Sequence, residues 1–275
     1  MQKIRKKLSL VWGVPEAAVM NIPVVTVQGN GTASIENYKS ILLYTSEQIR
    51  VLSKEMIIGI YGKNLKFDSI NEEILIISGN FEKIEYNKLY KFEDIVGKTI
   101  IDMHATTVKT ELFRKANEQI DEHTFYVDVE FIAFPIPYVR TVYFIEDPVY
   151  QYRLGLPGQS MSIQKMQKNL KNHLRVLMRL NQYCKKAETI APTANLEYIR
   201  ELTATILTSQ MKIYISFPLK SGMKKEAMKL DAYFYHKNRE VYDRVKNPAV
   251  LFLRKTKYAA FPLAVLAFKR RRDSY

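Results

Sequence analysis

Alternating apolar and polar positions dominate the first third of the chain, in short runs separated by turns. This period of two predicts strands at Val24–Gln28, Ser40–Tyr44, Ile49–Leu52, Met56–Tyr61 and Leu65–Asp68, then at Glu73–Ile77 leading into Glu82–Tyr86. The expected breaks are Gly29-Asn30-Gly31, Gly62-Lys63-Asn64 and Ser78-Gly79-Asn80. Strands this short and this closely spaced predict a small all-β roll or barrel. Ahead of them, Val14-Pro15-Glu16 starts one helical turn, where a proline is tolerated, and Trp12 packs that turn onto the sheet.

After Tyr86 the period lengthens. A helix is expected over Ala105–Glu118 and strands over Val127–Phe131 and Val139–Phe144, with Pro135 and Pro137 interrupting the run between them. Amphipathic helices follow. Ile163, Met166, Leu170, Leu174, Leu177 and Cys184 share a face at helical spacing behind Ser162 as N-cap. Leu196, Ile199, Leu202, Ile206 and Ile213 repeat the pattern, and a third segment runs from Met223 towards Val245, stopping before Pro248. The expected fold class is α+β: a β domain over residues 1–86, a short mixed α/β segment over 87–160 and a helical region over 161–275.

With 47% hydrophobic residues and only 10 Gly and 10 Pro, the 275-residue chain is neither disordered nor of low complexity. A single cysteine, Cys184, makes no internal bridge, which points to a reducing, cytoplasmic setting. Met1–Leu10 is basic but lacks the apolar run of a signal peptide, and no stretch reaches the roughly 20 apolar residues of a membrane span. The net charge of +14 is unevenly spread: +1 over residues 1–86, −4 over 87–150 and +17 over 151–275. Unlike parts have been joined.

Two resemblances account for those parts. Trp12-Gly13-Val14-Pro15, Asn21-Ile22-Pro23, Gln28-Gly29-Asn30, Ile35-Glu36-Asn37-Tyr38, Ile60-Tyr61-Gly62-Lys63-Asn64-Leu65 and Ile77-Ser78-Gly79-Asn80-Phe81 carry a resemblance to the YabP/YqfC family of sporulation proteins. It implies a spore-forming bacterium, a role in the mother cell and no catalytic residue. Met103-His104-Ala105-Thr106-Thr107, Phe125–Phe131, Pro135–Val139, Val149–Gly155 and Gly158–Ser162 resemble, in that order, the acceptor-side half of a family 2 glycosyltransferase of the GT-A type. That resemblance implies sugar transfer to a glycan acceptor. Intact relatives hold a nucleotide-sugar with Mg or Mn on an Asp-x-Asp motif, which this chain lacks, so no cofactor and no metal is expected here.

The resemblance makes Asp128 the catalytic base, since an attacking hydroxyl must lose its proton to a carboxylate within reach. Glu130 lies two residues on, on the same face if the segment is a strand. His104, Tyr126, Gln159 and Ser160 are the remaining acceptor-binding candidates; a structural histidine, a packing ring and a helix lead-in are the alternatives. His123, His173 and His236 have no partner at metal-ligand spacing.

Lys165, Lys168, Lys171, Arg175 and Arg179 form a basic helix face, joined by Lys224 and Lys225. Tyr258–Phe268 is mostly apolar, is broken by Pro262 and is followed by Lys269, Arg270, Arg271 and Arg272, which suits a peripheral anchor on the anionic inner face of a membrane. Nucleic acid fits less well, because no recognition motif accompanies the charge. Two functions follow: a glycosyltransferase-lineage protein inactive without its donor half, or a non-enzymatic sporulation factor docked through its basic helices. A rearrangement joining two adjacent coding regions at Tyr86 is the third reading.

Overall fold

The computed structural model describes residues 22–272 apart from 55, 100 and 146–161, with backbone alone for 270–272. The turn at Val14-Pro15-Glu16, Trp12, Gln159 and Ser160 lie outside the described residues. The fold is α+β, as the pattern predicts, and divides into two units: residues 1–91 with 141–146, and residues 92–140 with 147–275.

The first unit is an antiparallel seven-stranded sheet of β1 (Val24–Gln28), β2 (Thr32–Glu36), β3 (Ser40–Tyr44), β4 (Gln48–Leu52), β5 (Met56–Ile70), β6 (Ile74–Lys91) and β7 (Thr141–Tyr143). The order is β1-β2-β6-β5-β4-β3, with β7 on the end of β6; among the described residues β1 and β3 end the path. β5 and β6 form one long hairpin whose register shifts between Tyr61 and Gly62, Lys63 and Lys66, and Phe67 and Ser69. Those bulges bend it. β4 pairs with Ile57–Tyr61 on one half and β2 with Ile74–Ser78 on the other. Alternate residues of both halves, Ala33, Ile35, Ile49, Val51, Ile58, Ile60, Leu75 and Ile77, then share one core, which makes the sheet a roll.

Two sequence expectations change here. Gly62-Lys63-Asn64 and Ser78-Gly79-Asn80 do not end strands but sit in the bent hairpin. A Cβ on Gly62 would stand 2.0 Å from Asn80 O, so glycine is required for the crossing. β2 escaped the pattern because its small residues, Ala33 and Ser34, carry weak strand preference. The boundary at Tyr86 falls inside β6, which continues to Lys91.

The second unit is helical: α1 (Phe92–Ile95), α2 (Thr110–Ala116), α3 (Asp128–Ala133), α4 (Ile163–Lys168), α5 (Leu170–Ala187), α6 (Thr193–Ser216), α7 (Met223–Lys237), α8 (Arg239–Asp243), α9 (Pro248–Lys255) and α10 (Phe261–Arg272). α6 lies at its centre: Tyr198, Ile199, Leu207, Met211, Ile213 and Tyr214 are buried around its circumference, and α5, α7, α8 and α10 pack on it. Buried polar groups fix the loops. Asn195 Nδ2 donates to Ile136 O (2.6 Å) and Val139 O (2.9 Å), and Tyr183 Oη donates to Phe134 O (2.6 Å). Asn247 caps α9 at Val250 N, with Pro248 as its first residue, so Pro248 starts a helix, whereas the preceding one, α8, already ends at Asp243.

The strand expected at Val127–Phe131 is a helix. Among the described residues no neighbouring strand completes a ladder there, whereas a helical turn satisfies the backbone at once: Phe131 N donates to Val127 O (3.1 Å) and Phe134 N to Glu130 O (3.0 Å). The helix expected over Ala105–Glu118 shrinks to α2. Thr106-Thr107-Val108 is β-branched and resists it, and Asn117 ends it in a left-handed conformation (φ 49°).

Candidate functional site

The loop between α2 and α3 carries His123 and Tyr126 at positive φ (53° and 72°), conformations costly for non-glycine residues that cluster at functional sites. Tyr126 meets the His173 ring of α5 edge-on at 5.1 Å. His173 is buried, and its Nδ1 lies 2.6 Å from Gln210 Oε1 of α6. Burial pulls the imidazole below its ordinary value, opposed by the Gln210 bond and the Asp128 charge. Burial likewise raises the Tyr126 phenol. Asp128 itself is exposed, the first residue of α3. The structure therefore brings together Tyr126, Asp128 and a residue that sequence reasoning dismissed, His173.

Glu130 separates from this corner. Two residues along a helix is a turn of about 200°, so the shared strand face expected for Asp128 and Glu130 does not exist. Glu130 is fully buried and accepts from the Asp121 backbone N–H at 2.9 Å. Its Oε1 faces Arg179 Nε at 3.9 Å, beyond hydrogen-bond reach. Burial pushes its carboxyl above the usual range, reinforced by the Asp121 charge and opposed by the Asp121 N–H bond, Arg179 and Arg175. Around it, Arg175 pairs with Asp121 (2.7 Å), Arg179 with Glu118 (3.2 Å) and Lys186 with Glu118 (2.7 Å). Phe113, Glu118, Asp121, Glu122 and Arg179 line a groove of about 560 Å³.

These pairings correct the expected basic face. Arg179 and the still-exposed Arg175 pair with the acidic loop, whereas Lys165, Lys168, Lys171, Lys224 and Lys225 are exposed. His104 sits exposed in a short 3-10 turn, Met103–Ala105. Cys184 is buried, and burial raises its thiol. Lys269 is exposed on α10; Arg270, Arg271 and Arg272 close that helix. Among the described residues, no three His, Cys, Asp or Glu side chains form a metal-holding group, and no helix is long and apolar enough to cross a membrane. The missed signals were period-based: His173, Asn181 and Gln210 fall at core positions of α5 and α6, where a polar side chain needs a buried partner.

The family model described as the YabP family matches residues 22–91, the span of β1 to β6. The curated protein named "Uncharacterized protein YqfC", from Bacillus subtilis (strain 168), is 27% identical over 73 residues, covering 26% of this chain and 78% of that protein. No solved structure matches.

Proposed function

We propose that the chain is a non-enzymatic sporulation factor in which the sheet unit is the acting part and the helical unit docks it. The carrying observation is that the YabP match coincides with a body that has its own core, β1 through β6. In this reading the protein works in the cytoplasm of a spore-forming bacterium, peripheral to the inner face of a membrane, with no cofactor and no nucleic acid. The test is complementation of a deletion strain. Ile77→Asp, which breaks the sheet core, is expected to abolish rescue of spore formation, and Asp128→Asn to leave it intact. Loss with Asp128→Asn and rescue with Ile77→Asp would sink the reading.

One observation favours a second reading, the acceptor half of a glycosyltransferase. The exposed Asp128 carboxylate lies near enough to Tyr126 and His173 for its charge to act on both, beside a strained loop that a glycan could occupy. Asp128 is then the base, with Tyr126 as the sugar-facing ring and His104, Gln159 and Ser160 as further contacts; Glu130, enclosed in the interior, supports the fold. Calorimetry with oligosaccharide acceptors decides: saturable binding by the purified chain that Asp128→Asn or Tyr126→Ala weakens favours this reading, and no binding favours the first.

A further inference from the structure

We propose that α9 and α10 form the docking element and that its ligand is the surface of an anionic lipid bilayer; this rests on the helical unit being the docking part. Residues 244–272 contain nine basic residues and no acidic one. Three of the nine are paired with carboxylates: Arg244 with Glu197 and Glu240, Lys246 with Glu201 (3.9 Å), and Arg254 with Asp231. Lys255, Lys257 and Lys269 are exposed, and no carboxylate pairs with them among the described residues.

The apolar residues between these lysines are divided by face. On α9, Val250 and Leu253 are buried, while Leu251 and Phe252 are 45% and 49% exposed. On α10, Phe261 and Val265 are buried, while Leu263 and Leu266 are 62% and 53% exposed. At about 100° per residue, each exposed pair lies opposite the buried pair of its own helix. α10 packs on α6 and touches α9. The turn between the two helices is fixed by Lys257 and Tyr258, both left-handed (φ 48° and 63°), with Tyr258 N donating to Leu253 O (2.7 Å). The outward leucines and phenylalanine are thus presented by two helices joined through a fixed turn.

Four large apolar side chains exposed in a strongly basic, acid-free stretch match a surface that is anionic outside and hydrocarbon beneath. The 12-residue α10 is about 18 Å long, against about 30 Å of bilayer hydrocarbon, so it lies along the interface and does not cross it. A nucleic acid would use the lysines and leave Leu251, Leu263 and Leu266 without a partner.

The experiment is co-sedimentation of the full chain with vesicles of phosphatidylcholine alone or with one-third phosphatidylglycerol. Binding only to the anionic vesicles, weakened by salt, is expected. Leu263→Ser with Leu266→Ser, and separately Lys255→Gln with Lys257→Gln, should each lower partitioning about tenfold or more with an unchanged thermal melt. Equal binding to neutral vesicles, no binding to anionic ones, or wild-type binding by the folded leucine variant would each overturn the proposal. Failure on vesicles with sporulation still dependent on the sheet unit removes the lipid partner and leaves the docked-factor reading standing; loss of sheet dependence with vesicle binding retained does the reverse.

Discussion

Replacing Arg254 by methionine removes the cation that holds α9 against α7. Its guanidinium donates to Asp231 through Nη2 (2.8 Å) and Nε (3.0 and 3.2 Å), donates to Tyr242 O through Nη1 (2.9 Å), and lies 3.5 Å from the centre of the Tyr242 ring. The two side chains are only 10% and 7% exposed, so solvent screens the pair little. Methionine fills much of the same volume but leaves the Asp231 carboxylate without its counter-ion beside the Tyr258 hydroxyl, whose ionisation burial and then the Asp231 charge suppress. A buried charge stripped of its partner costs about 3–5 kcal/mol. Asp231→Leu combined with Arg254→Met should recover most of that loss, because the desolvation of both ions disappears with them. Urea unfolding followed by far-ultraviolet circular dichroism reads the helical unit, which dominates that signal. A loss below about 1 kcal/mol for Arg254→Met, or a double variant as unstable as the single, would refute the reasoning.

Gly62→Ala should destabilise the sheet unit by about 1–3 kcal/mol, because its Cβ would meet Asn80 O at 2.0 Å; an unchanged melt would show that the crossing is looser than described. Glu130 has a raised folded-state value, so its contribution is fully present below the ordinary carboxylate range and is lost as pH rises through the shifted value. Glu130→Gln keeps the acceptor for Asp121 N–H and should flatten the stability profile above the ordinary carboxylate range of about pH 4, measured by thermal melts; a variant with the wild-type slope would rule this out. His173 has a lowered value, so its contribution is present above about pH 6.5 and is lost as pH falls through the folded-state value. A helical melt indifferent to acidification from pH 7 to about pH 5 in wild type, or equally sensitive in His173→Gln, would contradict that burial.

Whatever depends on neighbours along the chain was legible in the order of residues. β1 and β3 occupy the residues expected from alternation, the helical period placed Leu177 and Cys184 in the interior of α5, and the clustered charge and apolar residues of the last 29 residues before Asp273 were visible as composition. Tertiary structure decided everything that needed a partner from elsewhere. Val127–Phe131 alternates as a strand does, but an alternation without a ladder folds as a helix, and this turned Glu130 inward and left Asp128 in water. Arg179 looks like a solvated charge until the loop at Glu118 and Asp121 comes to meet it. Periodicity is a local property, fixed by backbone geometry; ladder pairing, counter-ions and desolvation are set by residues distant in sequence, and they determine which faces of this chain remain open to a partner.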